Sequence, residues 1–425
     1  AIEKVLAVGA AIGAAAPGTT IWDRKNYFYP DLPKGYQISQ LDFPLAEHGT
    51  IEVTTSAGTS HVRIRRAHLE EDTARLRHEK GSDGKRSSLI DYNRSGVALL
   101  EIVTEPDIRD AETARRYAEE LRLLLRTIGA ADAEMENGQM RVEANVSIRP
   151  SEEAPFGTRT EVKNMNSFRF LERGIEAELE RQLEVVLGGG TIEQETLHFD
   201  PVAGTLSSLR SKEQAHDYRY FPEPDLLPVH QTEAGLVELG SDLPELPAAR
   251  FDRLVAAGLT EPTALALAVD ADLAGYLDAV ATVTGDLKTS ANWTMGEFSA
   301  HLNGAGLSAD QSPVTPERLA ALIALVVDGT INQTAAKEVF GVLVEDPQAT
   351  AAGVVADRNL AQVGGDDALG EIIDAVLAAH PEEVEAFRGG REQVIGFLVG
   401  QCMKQSGGRA DAKALQGLLR ARLNG

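Results

Sequence analysis

The sequence predicts an α+β protein, with largely antiparallel strands in its first half and helices alone in its second. Three observations carry this. Period-two alternation recurs up to about residue 230, capped amphipathic runs lie between those stretches, and from about Leu243 the strand signals give way to Ala/Leu-rich helices. At 425 residues the chain is long enough for several domains with cores of their own.

The opening run, "AIEKVLAVGAAIGAAAPG", reads as an amphipathic helix. It contains Glu3 and Lys4 and lacks the basic start of a secretion signal. The chain does not begin with Met, so residues upstream are expected. In "LLEIVTE", Glu101 falls on the face opposite Leu100 and Ile102. Asp110 can cap an amphipathic helix over 111–128, which Gly129 ends. After the turn signal Asn137-Gly138, "MRVEANVSIR" alternates: Met140, Val142, Ala144, Val146 and Ile148 share one face, Arg141, Glu143, Asn145, Ser147 and Arg149 the other. "RTEVK" puts Arg159, Glu161 and Lys163 on one side. A helix follows from Phe168 to Leu187, stopped by three glycines. Beyond residue 243, "NGAGLSADQSPVTP" (303–316) is the clearest linker, and Thr315-Pro316-Glu317 a helix start. Short helices broken at "DGT", "EDP", "HPEE" and "GG" complete the chain, with no fixed-period repeat. The expected division is 1–240, 241–305 and 315–425.

Composition excludes several classes. No apolar run approaches the ~20 residues of a membrane span. The single cysteine, Cys402, allows no internal disulfide and no cysteine-rich zinc site, and a cytoplasmic location is expected. A net charge of −24 opposes indiscriminate nucleic-acid binding. The last 25 residues differ: Lys404, Arg409, Lys413, Arg420 and Arg422 face only Asp411, which suggests a basic module on an acidic body.

Short motifs mostly fail. "GSDGKRS" (81–87) lacks the spacing of a phosphate-binding loop, and "VGAAIG" misses the dinucleotide fingerprint. "HLEED" (68–72) contains H-x-E, but the cysteine pair of a zinc deaminase is absent. What remains is a set of carboxylates on strands or strand ends, Glu70, Glu71, Asp72, Glu101, Glu143 and Glu161, with His68 and Asn145 nearby. Such oxygen-rich groups suit Mg²⁺. Pairing with Arg63, Arg65, Arg141 and Arg159 on a solvated face is the commoner outcome.

The segment "DRKNYFYPDLPKGYQISQ" (23–40) concentrates Tyr27, Phe28, Tyr29 and Tyr36 in a chain only 5% aromatic, beside Arg24, Lys25 and Lys34. Pro30 and Pro33 break any helix there. It reads either as a proline-braced loop or as a pocket wall that meets a nucleotide or an RNA end with cations and rings. "HDYRYFPEPDLLP" (216–228) carries the same two readings, while Asn292-Trp293 reads as a buried anchor.

These stretches, with "HLEEDTARLRH", "SLIDYNRSGVALLEIVTEPDIR", "GTRTEVKNMNSF", "DGTINQTAAKEVF" and "GFLVGQCMKQSGGRADAKALQGLLRARL", closely resemble the GatB family, one of the subunit families of the tRNA-dependent amidotransferases. The resemblance runs through the whole chain in order. It implies a mixed, largely antiparallel catalytic cradle, an all-α helical domain and an all-α YqeY-like tail that binds tRNA. It implies partnership with the amidase subunit GatA and the small subunit GatC, and with the cognate synthetase. The implied reaction phosphorylates the side-chain carboxylate of Glu-tRNA(Gln) or Asp-tRNA(Asn), with ATP and Mg²⁺, before ammonia displaces the phosphate. The alternative is a non-catalytic tRNA-binding scaffold; a metal-dependent phosphohydrolase acting alone is a third reading.

Matched motif to motif, the family's metal-binding glutamate falls on Glu71, and the acidic position of its R-V-D/E-A-N strand on Glu143. The implied metal set is Glu71, Glu70, Glu101 and Glu161; the implied catalytic set is Glu71, Glu143, Lys25 and Lys34. Lys25, Lys34, Tyr27, Asn145 and Lys163 fall at cofactor positions, and Lys404, Arg409 and Lys413 at tRNA contacts. The family opens with a strand reading roughly G-L-E-V-H whose Glu and His also bind the metal. That strand lies outside these residues, so the implied metal site is incomplete within them.

Overall fold

The computed structural model describes residues 1–425 except 81–83, 85, 211–217, 363–365 and 425, and leaves out the side chains of residues 78, 86, 209, 210 and 366–368. The chain forms two units, Ala1–Pro247 and Ala248–Gly425. Among the described residues, the first holds all the strands and the second only helices, so the α+β architecture is as the alternation and the composition break predict.

Two sheets organise the first unit. One is three-stranded and antiparallel, with Gly58–Glu71 between Ala46–Thr55 and Ala98–Thr104. Val53, Val62, Ile64 and Ala67 face its core and meet Val5 and Val8 of the opening helix, Ile2–Ala11. Gly49 is fixed by that packing: a Cβ there would lie 2.5 Å from Ile12 Cγ1. The second sheet is four-stranded, in the order Thr205–Arg210, Thr196–Asp200, Thr160–Lys163, Ala144–Val146. Its one parallel pair, 160–163 with 196–200, is joined by the crossover helix Phe168–Leu187. "MRVEANVSIR" is strand only at Ala144–Val146, because its partner strand pairs with those three residues alone. The turn at Asn137-Gly138 closes a loop instead of a hairpin.

One helix serves both sheets. Ala111–Thr127 is capped by Asp110, whose side chain accepts the Thr113 N–H. Its Tyr117, Leu121 and Leu125 enter the first core, and its Ala111, Ala114 and Ala118 the second. Small residues on that side let it pack closely against Phe168–Leu187.

The segment 23–40 is a hairpin. Asp23–Asn26 pairs antiparallel with Tyr36–Ser39, and Pro30 and Pro33 lie in the connection, where no ladder N–H is needed. Phe221–Pro222 adds to its outer edge.

In the second unit one core runs from Leu254 to Val355, including Trp293, and another from Leu369 to Leu423. The first spans both sides of the 303–316 segment, since Ala309 and Val314 are themselves buried in it. Asn332 caps the helix Gln333–Glu345 and donates to the Gly408 carbonyl at 2.6 Å, tying that core to the loop before the last helix.

The crossover helix is pinned by a buried carboxylate. Glu178 accepts from Thr160 Oγ1 at 2.6 Å, from Gln182 Nε2 at 2.7 Å, and from Arg181 through two nitrogens. Gln182 in turn donates to the Val146 carbonyl and accepts the Ile148 N–H, supplying the partners that the short strand lacks. Glu178→Ala removes the buried acceptor that Thr160, Gln182 and Arg181 share and should cost about 3 kcal/mol. Urea unfolding followed by Trp22 fluorescence, in a Trp293→Phe background, measures this; a shift below about 1 kcal/mol would refute it.

Candidate functional site

The strand Gly58–Glu71 carries the site on its last turn of alternation. His68 and Glu70 point to one face and Glu71 to the other. His68 pairs in register with Glu101 of the neighbouring strand, so their side chains share that face. The ligand atoms of His68, Glu70 and Glu101 all lie within 4.8 Å of one another. His68 is 1% exposed and Glu70 6%.

The hairpin 23–40 completes the surroundings. Gln37 and Ser39, two residues apart, face the same way, and Lys25 is the cross-strand partner of Gln37. Ser39 Oγ donates to Glu70 Oε1 at 2.5 Å, and Gln37 Nε2 to Glu70 Oε2 at 3.1 Å. Lys25 Nζ stands 3.8 Å from Glu70 Oε1 and 5.1 Å from the centre of the Tyr218 ring. Tyr27, Tyr218 and Tyr220 continue the wall in successive edge-to-face contacts. Burial and the nearby carboxylates push the Tyr27 and Tyr220 hydroxyls up to about 12, so both rings stay neutral donors.

The two carboxylates of the cluster are driven apart. Burial raises the Glu70 carboxyl, but the His68 hydrogen bond, the Lys25 charge and Ser39 outweigh it and hold the group at about 2. Glu101 moves upward, first by burial and then by repulsion from Glu70, against the smaller pull of His68 and Lys25. His68 Nε2 makes a long hydrogen bond to Glu70 Oε1 at 3.4 Å and lies 3.6 Å from Glu101 Oε2, too far for a second one. The Nδ1 atom of this buried ring has no hydrogen-bond partner among the described residues. One imidazole nitrogen and two carboxylates converging at these separations fit a divalent cation: the oxygens suit Mg²⁺ or Mn²⁺, and the nitrogen suits transition ions.

Other expected residues sit elsewhere. Glu71 lies on the opposite face, where its carboxylate takes the Lys34 ammonium at 2.5 Å and the Ile38 N–H at 3.1 Å. Glu161, Glu143, Lys163 and Asn145 form a second group. Lys163 Nζ is 3.2 Å from Glu143 and 3.4 Å from Glu161, and Asn145 pairs in register with Glu161. Burial pulls the Lys163 ammonium down, but the two carboxylates outweigh it and its pKa is raised. Glu161 also accepts from Thr196 and stands outside the His68 cluster. Of the tail cations, Arg420 and Arg422 pair with Glu392 and Asp374, Arg409 donates to the carbonyls of Ser406 and Asn359, and Lys404 and Lys413 are exposed. Most of "GSDGKRS" and the first two residues of "HDYRYFPEPDLLP" lie outside the described residues.

Sequence reasoning gave Gln37 and Ser39 no role and named His68 only as a neighbour. The available clue was "YQIS", where two polar residues with period two occupy the face that a strand would bury.

Comparisons with known proteins give the family to which the chain belongs. Residues 1–236 match the GatB/GatE catalytic domain, and residues 275–423 match the GatB domain found with it. The chain is thus built as a catalytic domain of the GatB/GatE class followed by a helical GatB domain. It is 47% identical over 406 residues to the B subunit of an aspartyl/glutamyl-tRNA(Asn/Gln) amidotransferase from Moorella thermoacetica, covering 95% of this chain and 84% of that one. Identity to the corresponding protein of Laribacter hongkongensis is 44%, covering 100% and 89%, and to that of Neisseria meningitidis serogroup C 43%, covering 99% and 88%. The chain belongs to the GatB family of aspartyl/glutamyl-tRNA(Asn/Gln) amidotransferase subunits. No helix among the described residues is long and apolar enough to cross a membrane.

Cation binding to His68, Glu70 and Glu101 requires Glu101 to lose its proton. Because its carboxyl titrates above the ordinary range, Mn²⁺ affinity should rise with pH through that raised value and then level off. Glu70→Gln or His68→Ala should weaken Mn²⁺ binding at least tenfold, while Glu71→Gln leaves it within twofold. Electron paramagnetic titration of free Mn²⁺ reads both; a larger loss in Glu71→Gln would assign the site to the other strand face.

Proposed function

We propose that this chain is the component that activates and amidates the side chain of a misacylated tRNA, working with an amidase subunit (GatA) and a small subunit (GatC). Its substrates are Glu-tRNA(Gln) and Asp-tRNA(Asn), with the cognate synthetase a further partner, and ATP and Mg²⁺ are required. The observation that carries this reading is the His68–Glu70–Glu101 cluster, with His68 and Glu70 buried, Glu101 half-buried and Lys25 at its edge, inside a GatB/GatE-type catalytic domain.

The chemistry runs in two displacements. The side-chain carboxylate oxygen of the esterified amino acid attacks the γ-phosphorus of ATP; an O–P bond forms and ADP leaves. Ammonia then attacks the acyl carbon, the C–O bond to phosphate breaks, inorganic phosphate leaves, and a proton is lost from the new amide nitrogen. Phosphoryl transfer asks for positioning and charge neutralisation more than for covalent help. A divalent cation bound by His68, Glu70 and Glu101 would neutralise phosphate charge and polarise the transferring group. Lys25, oriented by Glu70 and the Tyr218 face, presents a second positive charge to the same space. Tyr27 and its neighbours keep water from a labile acyl phosphate. Lys34, with Glu71, is positioned to meet phosphate or ammonia on the other strand face. Lys163 and Asn145 offer donors to the bound nucleotide, and Glu143, held by Lys163, can accept the departing proton.

The helical residues 315–425 take the tRNA body, with Lys404, Arg409 and Lys413 on its phosphates. The three-residue alanine variant should weaken tRNA binding uniformly across sequences and flatten its salt dependence, by roughly one unit of slope per lost contact. Glutaminase activity of the complex should not change.

The decisive experiment assays the three-subunit complex with each misacylated tRNA, ATP and glutamine. ATP-dependent amide formation is expected, with Glu70→Gln abolishing phosphate release. Phosphate release that survives this change together with His68→Ala would make the chain a tRNA-binding scaffold. Phosphate release from simple esters without tRNA or amidase would make it a phosphohydrolase.

A further inference from the structure

The strand Gly58–Glu71 changes face partway along, and the change brings one more cation to the side of the His68 cluster. Val62 and Ile64 point into the core shared with the opening helix, yet the next residue of the strand in that core is Ala67. The step of three marks a bulge, which shifts the pairing with Ala98–Thr104 between Ile64 and Arg66. Without it His68 and Glu70 would turn toward the helix. Beyond it Arg66, His68 and Glu70 share the face away from that core, with Arg66 about 7 Å from His68 along the strand. Arg66 is half-buried, and its guanidinium is almost unused. Its one hydrogen bond among the described residues runs from Nη1 to the Leu41 carbonyl at 3.4 Å, and its buried Nε has no partner among them. Other half-buried arginines of the chain are committed: Arg318 donates to four carbonyls, and Arg24 takes Glu223 through two nitrogens. Burial first and the Glu70 charge next raise the Tyr220 hydroxyl, and the Arg66 charge pulls it back, so this guanidinium and the cluster act on the same ring.

We propose that Arg66 holds the side-chain carboxylate of the aminoacyl group by the oxygen that does not attack ATP, and so selects the acidic side chain over its amide. This deepens the function proposed above and rests on it. A planar guanidinium takes a carboxylate through paired N–H donors. In the first displacement Arg66 fixes one oxygen while the other forms the O–P bond and ADP leaves. In the second, the ammonia lone pair forms the C–N bond and the carbonyl electrons move onto the oxygen that Arg66 holds. They return as the C–O bond to phosphate breaks, so the guanidinium faces the charge where it develops. The amide product sets its own NH₂ group against the donors of Arg66, which loosens it.

The three-subunit complex tests this, with each misacylated tRNA as substrate and its amidated product as competitor. The wild type should bind the misacylated tRNA about tenfold or more tighter than the amidated one. Arg66→Gln should lower kcat for amide formation about a hundredfold and bring the two affinities within about twofold of each other. Arg66→Lys keeps the charge and the stem but not the fork, and should lose about threefold or more of the discrimination at an unchanged melting temperature. Affinity for uncharged tRNA, and Mn²⁺ affinity at the His68 cluster, should stay within about twofold in both variants. Wild-type kcat and discrimination in Arg66→Lys, whatever the fate of Arg66→Gln, overturn the assignment and leave the proposed function standing. An equal loss of affinity for charged and uncharged tRNA makes Arg66 a contact to the tRNA backbone and overturns it too. A wild-type complex that forms no amide on either misacylated tRNA overturns the function itself.

Discussion

The catalytic unit depends on keeping Glu70 ionised inside the protein. Moving a carboxylate out of water costs several kcal/mol unless partners replace its hydration. Ser39, Gln37, His68 and Lys25 are those partners, and three of them come from one hairpin. The hairpin must therefore lie against the strand Gly58–Glu71, and the rest of the segment 23–40 follows from that docking. Its two strands are short because only four residues on each side are needed to place Lys25, Gln37 and Ser39. Its connection is rich in proline and glycine because it has to turn without a ladder. Gly35 sits there at φ +77°, and a Cβ on it would press within 2.9 Å of the Phe28 ring. Arg24 closes the outer edge, with two hydrogen bonds to the buried Glu223 and its guanidinium over the Tyr36 ring.

The elements legible in the sequence are those whose cause is local. The helix Phe168–Leu187 has its cap at Ser167 and its stop in the glycines, and its ends fall where those residues lie. Ala111–Thr127 is equally explicit in its Asp110 cap. Alternation identified Glu101 as a strand residue on the face opposite Leu100 and Ile102, and Glu161 as one on a common side with Arg159 and Lys163. It could not say which strands pair. Glu161 and Glu101 look alike in sequence, yet only Glu101 lies opposite His68, because strand register is set by tertiary packing. The linker at 303–316 shows the same limit. Its Gly, Ser and Pro content reads as a boundary, but Ala309 and Val314 are buried in a core that continues on both sides.

The site divides along the pleat of one strand. His68 and Glu70 face inward and Glu71 outward, so the adjacent glutamates of "HLEED" have opposite surroundings. Motif matching aligns residues by position and does not see the face they point to. The structure couples each glutamate to a different lysine, Glu70 with Lys25 and Glu71 with Lys34, both from the same hairpin. Lys25 is the more constrained of the two, held between the buried carboxylate and the Tyr218 ring, whereas Lys34 reaches Glu71 from the loop.

That pairing explains why the aromatics and cations of the segment 23–40 occur together. A lysine beside a buried carboxylate would relax toward water unless something covered it, and a ring face covers a cation at low cost because the quadrupole attracts it. Tyr218 does this for Lys25, and Tyr36 does it for both Arg24 and Lys34. The rings are thus the condition under which the cations can stay near the Glu70 and Glu71 carboxylates. Phe28 departs from this pattern: it is 91% exposed and covers no cation among the described contacts. The four rings that look equivalent in composition therefore separate by position, with Tyr27 and Tyr36 integral to the charged site and Phe28 and Tyr29 exposed at the hairpin tip.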